Sequence, residues 1–403
     1  MSELPEDTAF RREVREHLEK RVTHELREAA RLTVGFHPPV WATRQWLGLL
    51  AEKGWSTPYW PVEDGGPGWS PSQFTIFEEE CERIGAPRDA TAGINLVGQC
   101  IVRYGTPEQK ARYLPPMADG REIWAQGYSE PNAGSDLASL QLRAESDGDD
   151  YVLNGSKIWT SLAHQADCIF ALVRTSGEGK KQQGISFLLM DAKTPGITVR
   201  PLPNIAGDHE FNQVFFSDVR APKSQRLGEE NQGWTIARVL LSFEHGGAGG
   251  GAAIRPQRSK QLKVLREVAR QAPSSGAVSM LADADFAHRL AAAEIDELAV
   301  NLVETRLAAI TEPGEAIGIN GSISKLRHAP MVQLLAELEM RALGYDGVAL
   351  QTEARQPGAT TPPVGPDYAL LGTARYLAKR AQTIAGGTPE VHTNNMARQL
   401  LRL

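Results

Sequence analysis

The sequence predicts an α+β protein built in three consecutive parts: helices, a small antiparallel sheet, and helices again. Three observations predict it. Phe10, Val14, Leu18, Val22 and Leu26 recur every fourth residue among charges, the stripe of an amphipathic helix. From about residue 121 to 226 the texture changes to short runs of β-branched and aromatic residues between turn signals. From about 227 onward helical texture returns, in Gly233 to Phe243, Phe286 to Ile310, Met331 to Leu343 and Tyr368 to Ala385, with a loop at Thr352 to Pro366.

In the first part, covering 1–120, two helix starts are well marked. Ser70-Pro71-Ser72-Gln73 and Thr106-Pro107-Glu108-Gln109 each place a hydroxyl at the N-cap, proline in the first turn and glutamine where a capping box needs it. Pro58 to Pro71 is a tight connection. In the second part, 121–226, strands are expected at Tyr151-Val152-Leu153, Cys168 to Val173, Ile185 to Met190, Ile197 to Leu202 and Val214-Phe215-Phe216. Asp147-Gly148 and Asn154-Gly155 read as turns between them, and the whole as a barrel or sandwich. The third part, 227–403, holds the four helical stretches.

The composition excludes several functions. Lys and Arg total 43 against 49 Asp and Glu, a formal charge of -6, so no broad cationic face draws the chain to nucleic acid or anionic lipid. Cys81, Cys100 and Cys168 are an odd, widely spaced set with no Cys-x-x-Cys, against a disulfide framework or structural zinc. No His/Cys/Asp/Glu set has metal spacing. The acidic start Met1-Ser2-Glu3-Leu4-Pro5-Glu6-Asp7 is unlike a secretory signal, and no run approaches the ~18 apolar residues of a membrane span. A cytoplasmic protein is the expectation.

Four segments can carry chemistry, and each has a structural alternative. Tyr128-Ser129-Glu130-Pro131-Asn132-Ala133-Gly134-Ser135-Asp136 surrounds a Gly-Ser step with small residues and hydroxyls; it is an ordinary turn or a loop that lets backbone N–H groups approach a planar or phosphorylated ligand. Lys157-Ile158-Trp159-Thr160-Ser161, read as a strand, turns Trp159 and Ser161 to one face, an aromatic platform beside a hydroxyl or a core tryptophan beside a surface serine. Glu244 sits on a helix among Leu240, Leu241 and Phe243, just before His245 and the glycine-rich run 246–251. Desolvation there raises a carboxyl toward the range of a general base, while the alternative is a salt bridge beside tight helix packing. Finally Gly386-Gly387-Thr388-Pro389-Glu390 opens the last helix; capping explains it, and anion contact at the same N-terminus is the sharper reading.

Taken together these segments resemble the acyl-CoA dehydrogenase flavoproteins over nearly the whole chain, in order. The resemblance rests on Ser-Glu-Pro-x-Ala-Gly-Ser-Asp from Ser129, Leu-Asn-Gly-x-Lys-x-Trp from Leu153, Val-Phe-Phe-x-Asp-Val-Arg-x-Pro ending at Pro222 with Gly228 to Trp234 after it, and the terminal Gly-Gly-Thr-x-Glu. It implies a C-terminal four-helix bundle and FAD between the sheet and the C-terminal helices. Gln126, Tyr128, Ser129, Trp159, Thr160 and Ser161 would bind the cofactor, with Thr388 and Glu390 at its nucleotide end. Ser135, His245 and Gly386 would meet the acyl-CoA. The implied reaction removes an α-proton with a glutamate while the β-hydride passes to the flavin, leaving a trans-2-enoyl-CoA. Electron-transferring flavoprotein is the implied acceptor, an oxidase or flavin monooxygenase reacting with oxygen the variant reading, and a homodimer, homotetramer or heterotetramer the implied assembly.

The departures from the family pattern assign the base. Many members carry it in Tyr-Glu-Gly-Thr near the C-terminus, where this chain has Ala385-Gly386-Gly387-Thr388. A second group, including isovaleryl-type enzymes, holds it on the earlier helix in Leu-x-x-Glu-Arg, matched by Leu241-Ser242-Phe243-Glu244-His245. Glu244 is therefore the expected base, and Gly386 still offers the backbone N–H that polarises the thioester carbonyl. His245 replaces the usual arginine, and the Arg-x-x-Phe-Gly step that grips FAD across a subunit interface has no counterpart near Phe286 to Leu290. The chain resembles the branch of actinobacterial members, some of them heteromeric, that act on steroid side-chain thioesters, and the two departures keep a second role open, a flavin-binding or non-catalytic subunit of a heteromer.

Overall fold

The computed structural model describes residues 5–87, 92–244, 251–273, 279–310 and 319–401. Their order is helices, sheet, helices, as the sequence predicts. The first layer comprises α1 (Pro5–Arg21), α2 (His24–Leu32), α3 (Val40–Ala51), α4 (Pro71–Ile84), α5 (Gly98–Tyr104) and α6 (Pro107–Ala118). The stripe from Val14 to Leu26 is buried, but it spans two helices, because Thr23 ends the first and caps the second by accepting from Leu26 N. Both predicted capping boxes form: Ser70 and Thr106 accept from the N–H three residues on, and Gln73 and Gln109 return the bond to the cap backbone.

The sheet contains β1 (Trp124–Gly127), β2 (Arg143–Asp147), β3 (Asp150–Lys157), β4 (Cys168–Arg174), β5 (Ile185–Asp191), β6 (Ile197–Leu202), β7 (Phe211–Pro222) and β8 (Arg226–Leu227). Its order is β6-β7-β3-β2-β4-β5-β8, with β1 paired to β4. The expected antiparallel barrel is thus corrected to one mixed sheet. The pairings β1–β4 and β2–β4 are parallel, the second at Arg143↔Arg174. At that junction the sheet folds over, so that Ile169, Ala171 and Val173 of β4 share a core with Leu153, Val214 and Phe216 from its other half. The opposite side of β4 and β5, with Phe170, Leu172, Phe187 and Leu189, packs under α5, α6 and α7 (Gly233–Glu244). Alternation along the strands divides the two cores, and the burial of Cys168 to Val173 on β4 follows from having both.

Asp147-Gly148 is the β2–β3 turn, with Gly148 at φ 61°. Asn154-Gly155 is no turn: it lies inside β3, where the register with β7 shifts between Leu153 and Gly155. The Asn154 side chain donates to Asp218 Oδ1 at 3.0 Å and accepts from Asp218 N, so a long-range partner converts a local turn signal into a bulge.

The C-terminal layer continues from α7 with α8 (Gly251–Gln271), α9 (Ala284–Ile310), α10 (Ile319–Leu343), α11 (Gly372–Lys379) and α12 (Pro389–Leu401). This exceeds the four stretches read from the sequence. α8 was hidden by the glycines before it and by Pro256, and the Tyr368–Ala385 stretch is α11 between two 3₁₀ turns. α10 lies at the centre, packed on α8, α9, α11 and α12.

Gly233 fixes where α7 begins. A Cβ there would lie 2.5 Å from Ser186 C and 2.8 Å from Phe187 N, backbone atoms that have no room to give. Gly233→Ala is expected to cost about 2 kcal/mol by overpacking, read by denaturant unfolding; a loss below about 0.5 kcal/mol, the range of neutral surface changes, would mean that α7 slides freely on β5.

Candidate functional site

β1 carries the first side chain of the site. Strand alternation places Gln126 on the same side as Trp124, whose core includes Ile236, Ala237 and Leu240 of α7. At the end of α7, Glu244 accepts a hydrogen bond from the Gln126 side chain. Burial pushes the Glu244 carboxyl above its ordinary value; the Gln126 bond, the Lys325 ammonium and His392 pull it back only in part. Its Oε2 is buried without a hydrogen-bond partner among the described residues.

The turn before α12 meets this carboxylate. Gly386 is left-handed at φ 68°, and a Cβ built on it would lie 3.5 Å from Glu244 Oε1. A side chain starting from position 386 and the one arriving from α7 therefore converge on one spot. Gly387, at φ 97°, could carry no Cβ without meeting His392 Nε2 at 2.8 Å. Thr388 accepts from Val391 N at 3.3 Å, and the exposed Glu390 is held below its usual range by its own N–H and by the Thr388 hydroxyl. Capping accounts for both residues.

The second half of the site is the crossing of the 128–130 and 157–162 segments. Ile158 N donates to Ser129 O at 2.8 Å, while Lys157 Nζ reaches Tyr128 O at 3.0 Å and Glu130 Oε1 at 2.8 Å. Lys157 is fully buried, and Glu130 also accepts from Gln141 N and Leu142 N. The Glu and the Lys of the two sequence motifs are thus one internal ion pair that ties the segments together.

Trp159 and Ser161 are not on a strand. β3 ends at Lys157, and Trp159 takes φ 58°, in the left-handed region unusual for a tryptophan. Asn212 enforces this path by accepting from Thr160 N through its carbonyl and donating its side-chain amide to Thr160 O, both at 3.0 Å. The Trp159 ring is left 59% exposed, edge-on to Phe211. Thr160 is buried with an Oγ1 that has no partner among the described residues, and Ser161 beside it is half-buried. Tyr128 is also buried, edge-on to Phe170 and Phe187, and its Oη has no partner among the described residues.

The structure thus brings Gln126, Glu244 and Gly386 together in one cluster and Ser129, Trp159, Thr160 and Ser161 in another. Ser135 stands on an exposed turn held by Asp136, which accepts from Ser139 Oγ and Lys181 Nζ, and no described contact joins it to either cluster. His245 lies outside the described residues. Sequence reasoning missed Lys325 and His392, both buried against the 382–387 turn from other elements; no local pattern marks them.

Comparison with known proteins agrees with this architecture. The acyl-CoA dehydrogenase N-terminal domain matches residues 4–121, the middle domain 125–219 and the C-terminal domain 231–401. Acyl-CoA dehydrogenase IpdE1 of Mycobacterium tuberculosis is 36% identical over 365 residues, 89% of this chain and 88% of the relative. The ChsE4-ChsE5 complex from Mycobacterium tuberculosis contains a chain with TM-score 0.78 and 31% identity, covering 100% of this chain and 99% of that one. A chain of the Tcur3481-Tcur3483 steroid acyl-CoA dehydrogenase has TM-score 0.81 at 27% identity, over 100% of this chain and 98% of its own. Members of the family are FAD flavoproteins. In sequence, element order and three-part match, this chain belongs to the acyl-CoA dehydrogenase family.

Proposed function

We propose that this chain removes the α-proton of an acyl-CoA thioester with Glu244, yielding a trans-2-enoyl-CoA. The observation that carries the reading is the convergence of a desolvated carboxylate on Gly386, with one oxygen left unpartnered. A base must be poised near neutrality, and burial moves Glu244 in that direction. The Gly386 N–H supplies a donor for the thioester carbonyl as negative charge develops on it.

The residues present fit FAD. Unpartnered buried polar atoms are rare in a finished protein, yet among the described residues Thr160 Oγ1, next to the exposed Trp159, and Tyr128 Oη, next to Ser129, both lack partners. Ser129, Trp159, Thr160 and Ser161 would hold the isoalloxazine together with Gln126 and Tyr128, and Thr388 and Glu390 would hold the nucleotide end. When bound, FAD supplies the acceptor for the β-hydride. The chain's own part is to orient the thioester, exclude water and hold the α-proton at the Glu244 carboxylate.

We assign three domains, 1–120, 121–226 and 227–403, and a cytoplasmic, oligomeric enzyme reduced by acyl-CoA and reoxidised by electron-transferring flavoprotein. No described helix is long and apolar enough to cross a membrane. On α9, Ile295, Leu298 and Leu302 are 68, 61 and 63% exposed at helical spacing, an apolar stripe that supports association with another chain. Similarity to a chain of the ChsE4-ChsE5 complex and to one of the Tcur3481-Tcur3483 steroid acyl-CoA dehydrogenase supports a heteromer among the expected assemblies and a steroid-type acyl group.

Anaerobic titration with short, branched, long and steroid-type acyl-CoAs, read as loss of visible flavin absorbance, tests the reading. Bleaching by steroid-type thioesters is expected. A chain that purifies colourless, or stays yellow with every thioester, would instead be a non-catalytic subunit. The pH dependence has a definite sign. Only ionised Glu244 is a base, so the bleaching rate rises with pH through a limb lying above the ordinary carboxylate range. A rate flat across that limb removes Glu244 from the step.

A further inference from the structure

The Gln382–Gly386 turn is held from behind by two buried side chains that the proposed reaction does not itself use. Lys325 of α10 donates from Nζ to Gln382 O at 2.7 Å and to Ala385 O at 2.5 Å. His392 of α12 joins Gly386 O, at 2.9 Å from Nε2, to the Ser322 hydroxyl, at 3.0 Å from Nδ1. Lys325 is 9% exposed and His392 fully buried. An ammonium desolvated on two carbonyls is more than turn closure demands, since a neutral donor closes a turn at lower desolvation cost.

The peptide unit gives the arrangement a consequence. Ala385 C=O and Gly386 N–H belong to one planar trans amide, so they point in opposite directions. Anchoring that carbonyl on Lys325 aims the Gly386 N–H away from Lys325. It also polarises the amide, because a charge-assisted bond at the oxygen strengthens the donor at the other end. No described acceptor takes that N–H.

We propose that Lys325 is a positioning residue that acts through the Ala385–Gly386 peptide, orienting and strengthening the Gly386 N–H as the donor to the thioester carbonyl, with His392 fixing the next carbonyl of the turn. The inference rests on the reaction proposed above. Lys325 also bears on Glu244 directly: its charge favours the ionised carboxylate, and although burial lowers Lys325 to about 8, the ammonium dominates at neutral pH.

The test is the carbonyl stretch of a [1-¹³C]enoyl-CoA bound to the flavin-loaded protein, measured by difference infrared spectroscopy beside kcat and KM. The native protein should shift the band to lower wavenumber than in solution. Lys325→Met should lose at least half of that shift and about tenfold or more in kcat, with KM within about threefold, since losing a whole oxyanion donor costs about 10²–10³. Lys325→Arg, which keeps charge and donors, should recover part of both. If the methionine chain fails to load flavin, Lys325→Gln, which can serve one carbonyl, takes its place with the same expected directions. A native band shift and native kcat in the methionine or glutamine chain would overturn the proposal, as would a loss seen only in thermal stability. The Glu244→Gln chain should keep the band shift while losing turnover. A native protein that neither shifts the band nor bleaches with any thioester would overturn the reaction itself instead.

Discussion

Glu244→Gln is expected to keep the yellow flavin and to slow reduction by acyl-CoA by about 10²-fold or more, the range general bases contribute. Glutamine keeps the shape and the contact with Gln126 but cannot take a proton. Gly386, whose Cβ position would lie 3.5 Å from Glu244 Oε1, has no side chain to take the proton in its place. The same variant should be more stable than the native protein at neutral pH. A carboxyl whose folded value is raised binds its proton more tightly folded than unfolded, so ionising it as pH rises costs stability, and glutamine removes that cost. Faster unfolding together with lost activity would point to a structural role for Glu244.

Lys157→Met should have the largest effect on stability, about 3–5 kcal/mol, the cost of leaving one partner of a buried ion pair uncompensated. Glu130 would keep its bonds from Gln141 N and Leu142 N but lose the ammonium at 2.8 Å. Burial already lowers Lys157 to about 8, and Glu130 opposes that shift, so the pair depends on its geometry. Replacing both residues with apolar ones would not recover the loss, since the two backbone N–H groups would remain unsatisfied. The pair ties together the segments bearing Ser129, Trp159, Thr160 and Ser161, so flavin should also leave the variant during gel filtration. A urea midpoint near native, with flavin retained, would show that the crossing is held by backbone bonds such as Ile158 N to Ser129 O.

What was legible in the sequence was what short-range chemistry decides. The capping boxes at Ser70 and Thr106 depend on four consecutive residues, and the runs in β4 and β5 on burial from both sides. The pattern around Glu244, a carboxylate among Leu240, Leu241 and Phe243 before glycines, left a buried base and a packing salt bridge equally open, and its proposed role as base comes from the family resemblance. Asn154-Gly155 misled because its partner, Asp218, is 64 residues away and pulls it into a bulge. Trp159 misled for a related reason: Asn212 bonds to Thr160 at the next residue and sets its backbone path. Lys325 and His392 left no trace, since the carbonyls that give Lys325 its place are 57 and 60 residues distant. The sheet's parallel pairings were equally hidden, because β1 is four residues long and its partner lies beyond two intervening strands.

We infer that proton removal from the substrate's α-carbon by Glu244 is the step this site is built for. Single-turnover anaerobic bleaching with an acyl-CoA carrying deuterium at both α-positions tests it most directly. Slower bleaching of the native protein by the deuterated thioester than by the unlabelled one is expected, with almost none in the Glu244→Gln chain with either. Equal rates for the two thioesters, with Glu244→Gln bleaching as fast as native, would contradict it.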